Sequence, residues 1–370
     1  MTETLQPATE ALTLSGSVHV LLQFDVCEEI RLDRLRNLLS APTVQQPALK
    51  HPAPGYVRYK RPPVVEPTET LVLDTGERLL GEIKYYDYGV LSVIFELPFS
   101  GTWETLTSLT SRWAWEIDFA AHASRIVRQR LQIATPALIK PYNEWLSEDY
   151  LIVHVRQISG SPTAAELITA YGGNIAQVVR GDTLPLSADE RKEVLQSSIS
   201  YYPTDLAIIG WNAAFLYDTP SGAEAAIQLL EYANSQLLEF RHYDDLLTRV
   251  LDDVYDSFEQ RNNLFARFRH AGSANRLHTV LLEVMELTEH ADNAIKFLSD
   301  MFAARLYRLA AAKVGVLDYK DLVNQKINTA EDLYRFMVDQ FNQSRAFFLE
   351  SAVVIILVIE LIYLFRGKGF

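Results

Sequence analysis

Residues 229–247 read L-L-E-Y-A-N-S-Q-L-L-E-F-R-H-Y-D-D-L-L, with apolar positions recurring at alternating steps of three and four. The pattern extends in both directions. Upstream it begins at Ala226. Downstream it continues through Leu251, Val254, Phe258, Arg261, Phe265 and Phe268. After Gly272-Ser273-Ala274-Asn275 it resumes at Leu277 and runs through Leu281, Val284, Thr288, Ala291, Ile295, Leu298, Phe302, Arg305, Leu309 and Ala312 to Val316. No proline lies between Gly222 and Val316. Sustained 3.5-residue periodicity predicts two long helices with a coiled-coil seam. The short break predicts an antiparallel hairpin over 221–316 that turns near 272–275. Four seam positions are polar: Asp244, Arg261, Thr288 and Arg305. If the turn lies at 274–275, Asp244 comes level with Arg305 and Arg261 with Thr288. A partly buried Asp244–Arg305 ion pair is therefore expected, of the kind that fixes register more than it adds stability.

Upstream of the hairpin the periodicity changes. Residues 1–14 form an acidic, loose tail without the apolar core of a secretory signal. Residues 15–220 carry strand signals at Ser17–Val26, Tyr150–Gln157 and Tyr201–Tyr217, the last broken near Gly210. A hairpin signal centres on Asp87-Tyr88-Gly89, and residues 41–67 form a proline-rich loop. Helices are expected over Trp103–Ile133, stopped by Pro136, over a segment ended by Gly172-Gly173, and from a Ser187-x-x-Glu190 capping pattern. The reading is an α+β domain with mainly antiparallel pairing.

Downstream, a helix capped by Thr329 is expected to span 329–345 and lead into A-F-F-L-E-S-A-V-V-I-I-L-V-I-E-L-I-Y-L-F, residues 346–365. Twenty residues of helix match a bilayer core of roughly 30 Å, and Arg366 and Lys368 follow where headgroups would lie. The expectation is a single C-terminal transmembrane helix, a tail anchor, with the body in the cytoplasm. Glu360 is then an intramembrane carboxylate that needs shielding, pairing or protonation.

Composition narrows the function classes. A formal net charge of −13 argues against indiscriminate binding to nucleic acid or anionic lipid. Cys27 is the one cysteine, which excludes an intramolecular disulfide framework and any CxxC metal site. The chain has no GxGxxG, P-loop, GxSxG or HExxH pattern, so no catalytic residue and no cofactor is expected. Glu239-x-x-His242 has the spacing of di-metal carboxylate sites, but no second such motif faces it, and no metal is expected. Tyr56–Arg61 and Arg125, Arg128 and Arg130 are the basic stretches that could meet RNA or a ribosome; Arg267, Arg269, His270 and Arg276 could meet headgroups.

Two runs carry a family resemblance: Y-Y-P-T-D-L-A-I-I-G-W-N-A-A-F-L-Y-D at 201–218, with its Asp205, Trp211 and Asp218, and the 229–247 run quoted above. Together with the coiled coil and L-E-S-A-V-V-I-I-L-V-I-E-L at 349–361, they resemble the RMD1/RMND1 group, the DUF155 (YagE) family. The resemblance spans roughly residues 15–365 and is closer in layout than in motif over the first half. It implies an α/β body, a helical hairpin, one C-terminal membrane helix and large homo-oligomers. Mitochondrial members support organelle translation; with no transit peptide in view, a bacterial member is expected. The resemblance carries no catalytic residues.

The function expected from the sequence is a non-catalytic, tail-anchored membrane scaffold that assembles with itself and binds partners. Glu231, Asn234, Glu239, Arg241, Tyr243 and Asp244 are its candidate assembly surface. The alternatives are an enzyme with its site among Asp205, Trp211, Asp218 and the Glu239/His242 face, and a membrane tether for ribosomes or RNA.

Overall fold

The computed structural model describes residues 13–39, 61–259, 276–282, 284–285 and 301–367. Among them, nine strands form one sheet: β1 (Leu14–Ile30), β2 (Val64–Pro67), β3 (Leu71–Val72), β4 (Arg78–Tyr85), β5 (Val90–Gly101), β6 (Leu138–Ile158), β7 (Ser198–Ile199), β8 (Leu206–Ile209) and β9 (Ala213–Tyr217). Their order is β2-β4-β5-β1-β6-β9-β8-β7, with β3 paired to β4. Every pairing is antiparallel except β6 with β9, so the sheet is mixed and the domain is α+β.

The helices are α1 (Leu32–Leu39), α2 (Trp103–Trp115), α3 (Phe119–Ala134), α4 (Ala164–Arg180), α5 (Ala188–Gln196), α6 (Pro220–Glu259), α7 (Met301–Val314) and α8 (Val316–Phe365). Residues 276–282 are also helical. Two compact units result, bounded as Met1–His242 with Glu289–Tyr319, and Tyr243–Thr288 with Lys320–Phe370.

Side-chain alternation gives the sheet two unlike faces. Val18, Val20, Leu22 and Phe24 of β1 point to one side with Val93 and Phe95 of β5 and Val153 and Val155 of β6. Trp103, Leu106 and Trp113 of α2, Val127 of α3 and Ile175 and Val179 of α4 close over them as one apolar core. The other side carries His19, Gln23 and Asp25 of β1, Ser92 of β5, Lys84 of β4, and Glu148 and His154 of β6, brought side by side by the strand register.

Several sequence expectations shift. The helix over Trp103–Ile133 is two helices, because Asp118 caps a new start: its Oδ1 accepts the Ala121 amide at 2.9 Å. Gly172-Gly173 does not end α4. A Cβ on Gly172 would sit 2.9 Å from Leu195 Cδ1, so that glycine serves close packing. The terminator is Gly181, at φ 63, whose amide caps Gln177 and Val178. Strand β6 begins twelve residues before Tyr150; its first half is half-exposed and lacks the alternation that marks a strand. Thr329 lies inside α8 and bonds back to the Gln325 carbonyl at 2.9 Å.

The transmembrane expectation fails. Among the described residues no helix is long and apolar enough to cross a membrane. The reason lies in the carboxylates. Glu350 and Glu360 confine the charge-free run to Ser351–Ile359, about 14 Å of helix, or half of a bilayer core. With the span go the tail anchor, the membrane as partner and the membrane placement of the body; Glu360 is an exposed helical residue, not an intramembrane carboxylate.

In the second unit, Leu247, Leu251 and Val254 of α6 are buried, as are Leu277, Leu281 and Val323. Lys326 of α8 meets Asp244 Oδ1 at 2.5 Å, and Tyr334 stacks on His278 at 4.9 Å. The turn expected near 272–275 lies outside the described residues, as do Arg261, Thr288 and the tip residues Arg267, Arg269 and His270.

Candidate functional site, a buried polar layer

The polar face of the sheet is covered by the first half of α6, which belongs to the same unit as the sheet as far as His242. Glu231, Ser235, Glu239 and His242 recur along that helix at steps of four, four and three, so they form one stripe. Each meets, or lies beside, a polar group from the sheet. Glu231 is fully buried, and its Oε2 pairs with Lys84 Nζ at 2.8 Å. The backbone carbonyl of Glu231 accepts from Gln23 Nε2 at 2.9 Å. The hydroxyls of Ser235 and Tyr88 lie 2.9 Å apart. His242 Nδ1 lies 2.9 Å from Asp25 Oδ2. Next to it, Arg241 pairs with Glu148. Tyrosines frame the layer: Tyr86 stacks on Tyr88 at 5.2 Å, Tyr88 meets Tyr232 edge-on at 6.4 Å, and Tyr307 tilts against Tyr232 at 5.7 Å.

Burial dominates the electrostatics. It pushes the Asp25 carboxyl well above its ordinary value. It lowers His19 to about 4, against the opposing pull of Glu96, and also lowers His154, although Nε2 of that ring lies 3.0 Å from the Asp218 carbonyl. The Cys27 thiol is raised by burial and then by the charges of Asp25 and Glu239. The Tyr142 phenol is raised in the same way, and its ring stacks on His242 at 4.4 Å. The buried oxygens Gln23 Oε1, Asp25 Oδ1, Ser92 Oγ and Glu231 Oε1 have no hydrogen-bond partner among the described residues.

The residues singled out in the sequence fall into three places. Glu231, Asn234 and Glu239 are interior, and Asn234 bonds to its own helix at the Leu230 carbonyl, 2.8 Å away. Tyr243 is buried as well. Asp244 has Lys326 as its partner, and the Arg305 guanidinium lies over the Phe302 ring at 5.7 Å. Asp205 and Asp218 sit in turns: Asp205 accepts the Tyr201 and Tyr202 amides at 2.8 and 2.6 Å, and Asp218 accepts that of Thr219 at 2.6 Å. Burial also raises the Asp218 carboxyl.

Trp211, on the β8–β9 turn, is exposed at the rim of a cavity of about 250 Å³ shared with Arg180, Glu193, Ser197 and Lys313. Both cations there stand at helix C-termini and are paired, Arg180 with Glu190 at 2.6 Å and Lys313 with Glu193 at 2.7 Å. Of the basic stretches, Arg130 pairs with Glu66 at 3.5 Å and Arg128 lies over Trp145. Arg276 pairs with Asp253 at 2.8 Å; the Tyr56–Lys60 portion lies outside the described residues. No group of three or more His, Cys, Asp or Glu side chains among the described residues is placed to hold a metal. The layer's sheet-side members, His19, Gln23, Asp25, Lys84 and Tyr142, went unread in the sequence. The signal was present: S-V-H-V-L-L-Q-F-D-V at 17–26 sets Ser17, His19, Gln23 and Asp25 on one face.

A relative, the uncharacterized protein MJ0711 of Methanocaldococcus jannaschii, is 21% identical over 170 residues, which are 46% of this chain and 52% of the relative. The chain thus spans about half the length of that relative. No solved structure matches. A family model described as the N-terminal domain of MJ0711 matches residues 15–224, which hold the described sheet except Leu14, and the first turn of α6. By that match the chain belongs to the MJ0711 N-terminal domain family.

Proposed function

We propose that the chain is a non-catalytic assembly scaffold, in which an α+β body carries long helices that join copies of the protein and hold protein partners. One observation carries the reading. From Val353 to Phe365 the apolar side chains of α8 are exposed on every side of the helix, from 48% at Ile359 to 83% at Phe365. A Val, Leu, Ile or Phe moved from water into an interface gains roughly 1.5–3 kcal/mol, so a stretch of this length is strongly driven to find cover. A second copy of the same helix offers a matching surface, and an antiparallel arrangement sets Glu350 of one helix near Arg366 of the other.

Two further observations favour a scaffold over an enzyme built around Asp205 and Asp218: both carboxylates are engaged by turn amides, and Glu231 of α6 is engaged by Lys84. Membership of the RMD1/RMND1 (DUF155, YagE) group is part of the proposal, supported by the 201–218 and 229–247 runs. Light scattering on the size-fractionated full chain at tens of micromolar tests the reading. Oligomers are expected, and Ile355→Lys with Ile359→Lys and Ile362→Lys on one helix face should dissociate them. A monomeric wild-type chain, or an oligomer indifferent to the triple change, overturns it.

A further inference from the structure

The cavity beside Trp211 lies where α4 and α5 end, next to the turn from β8 to β9 and Lys313 of α7, all within the sheet-based unit. Its rim is built on a fixed turn. The Gly210 amide bonds to the Ala213 carbonyl at 2.8 Å, and the buried Tyr150 hydroxyl donates to the Gly210 carbonyl at 2.9 Å. A Cβ at Gly210 would lie 2.7 Å from Val179 Cγ1 and 2.9 Å from the Ala213 carbonyl oxygen, so glycine lets the turn pack close on α4. The next residue, Trp211, is thereby held at the cavity while 62% exposed. The walls are polar. Arg180 meets Glu190 through Nε, which leaves the terminal nitrogens of its fork as donors. Lys313 meets Glu193, whose side chain is 52% exposed, in a pair that water readily opens. Ser197 is 2% exposed; its amide bonds to the Val194 carbonyl and its carbonyl to the Ile209 amide, so its hydroxyl is the group it offers to the cavity.

We propose that this cavity binds the base of a nucleoside or nucleotide, stacked on Trp211 with its polar edge turned to Ser197, Arg180 and Glu193. Two cations and their two carboxylates leave no net charge to attract a simple ion. Arg180 and Lys313 also stand at the C-terminal ends of α4 and α7, where the helix dipole itself calls for a cation, so a phosphate is not what they await. Donors and acceptors side by side suit a planar heterocycle that carries both. An aromatic amino-acid side chain would stack equally well but would cover the Ser197 hydroxyl and the Arg180 fork without partnering them. Sites for whole small molecules run to roughly 300–1,000 Å³, so a cavity of about 250 Å³ takes a base and not a dinucleotide. Every base has a π-face, so Trp211 provides affinity and the polar edge provides choice.

Titration calorimetry on the full chain with adenosine, guanosine, cytidine and uridine, and with their 5′-monophosphates, tests the site. At least one nucleoside should bind saturably with a Kd below about 1 mM. Its monophosphate should bind within about tenfold of it, and which of the two binds tighter tells nucleoside from nucleotide as the ligand. Trp211→Ala, at an exposed position that the fold does not need, should weaken binding by about tenfold, and Trp211→Phe should restore most of the loss. Ser197→Ala should weaken it several-fold. Failure of every nucleoside to bind, or a Trp211→Ala variant that binds like the wild type, overturns the proposal. So does an unchanged Kd in Ser197→Ala, which would put the base on the outer face of the indole and not in the cavity. A monophosphate that binds while its nucleoside does not would make phosphate the ligand and overturn it as well.

Discussion

The two faces of the one sheet are solved by different physics. Val20, Leu22 and Phe24 meet an apolar core that needs no particular partner at any position. Gln23 and Asp25, interleaved with them on the same strand, are equally buried, yet each needs a named group on α6. An apolar face tolerates repacking, whereas a buried polar face specifies one helix in one register. Adhesion on the first face is nonspecific, and position on the second is set by pairing.

The largest expected effect comes from breaking that pairing at its charged centre. Glu231→Ala takes from Lys84 its fully buried partner, while Glu82, 3.2 Å away, is partly exposed; the change should cost about 3–5 kcal/mol in urea denaturation. Replacing both partners, Lys84→Met with Glu231→Leu, should restore most of the loss, because a buried ion pair exchanged for packed apolar groups is often neutral or stabilising. Persistent destabilisation of the double variant would mean that the pair fastens α6 in a way packing cannot replace.

The second effect separates the faces by pH. Nothing on the apolar side of β1 from Val18 to Phe24 titrates, but His19 on the polar side does. Its folded value of about 4 lies below the ordinary 6.5, so its contribution is present above 6.5 and is lost as pH falls through about 4. Because the ring is only partly buried, water screening holds the loss to about 2 kcal/mol. Thermal melts of the wild type and of His19→Gln between pH 7 and pH 4 should converge in slope once this group is removed. A Gln variant that keeps the full acid sensitivity would shift the cause to His154.

The contrast was half legible in the sequence. The alternation of 17–26, broken at Leu21, marks a two-faced strand, and the Asp87-Tyr88-Gly89 turn places β4 beside β5. A polar face on a strand ordinarily means water. Only the central place of β1, between β5 and β6 and under α6, turns that face inward, and placement of this kind is a tertiary fact. The same limit explains Glu231, Asn234 and Glu239, which looked like a surface because charged residues on a helix usually are one. At the C-terminal end the misreading had another source: apolar content over twenty residues outweighed the two carboxylates that cut the run short.

The smallest effect tests whether charge or mere polarity sets position on the polar face. Ser235 and Tyr88 make a neutral contact at 2.9 Å, and Ser235 Oγ also bonds to the Tyr232 carbonyl at 2.8 Å. Ser235→Ala should cost about 1 kcal/mol, because a neutral hydrogen bond contributes little net free energy although the phenol loses one of its contacts. Adding Tyr88→Phe removes the other half of the pair and leaves two apolar groups of similar shape. The double variant should therefore lose less than the sum of the singles, by several tenths of a kcal/mol in a double-mutant cycle. A coupling as large as that expected between Lys84 and Glu231 would make the whole layer a cooperative network, with the hydroxyls as important as the charges. A coupling near zero would leave the register of α6 to its charged pairs, Glu231 with Lys84 and Arg241 with Glu148 among them.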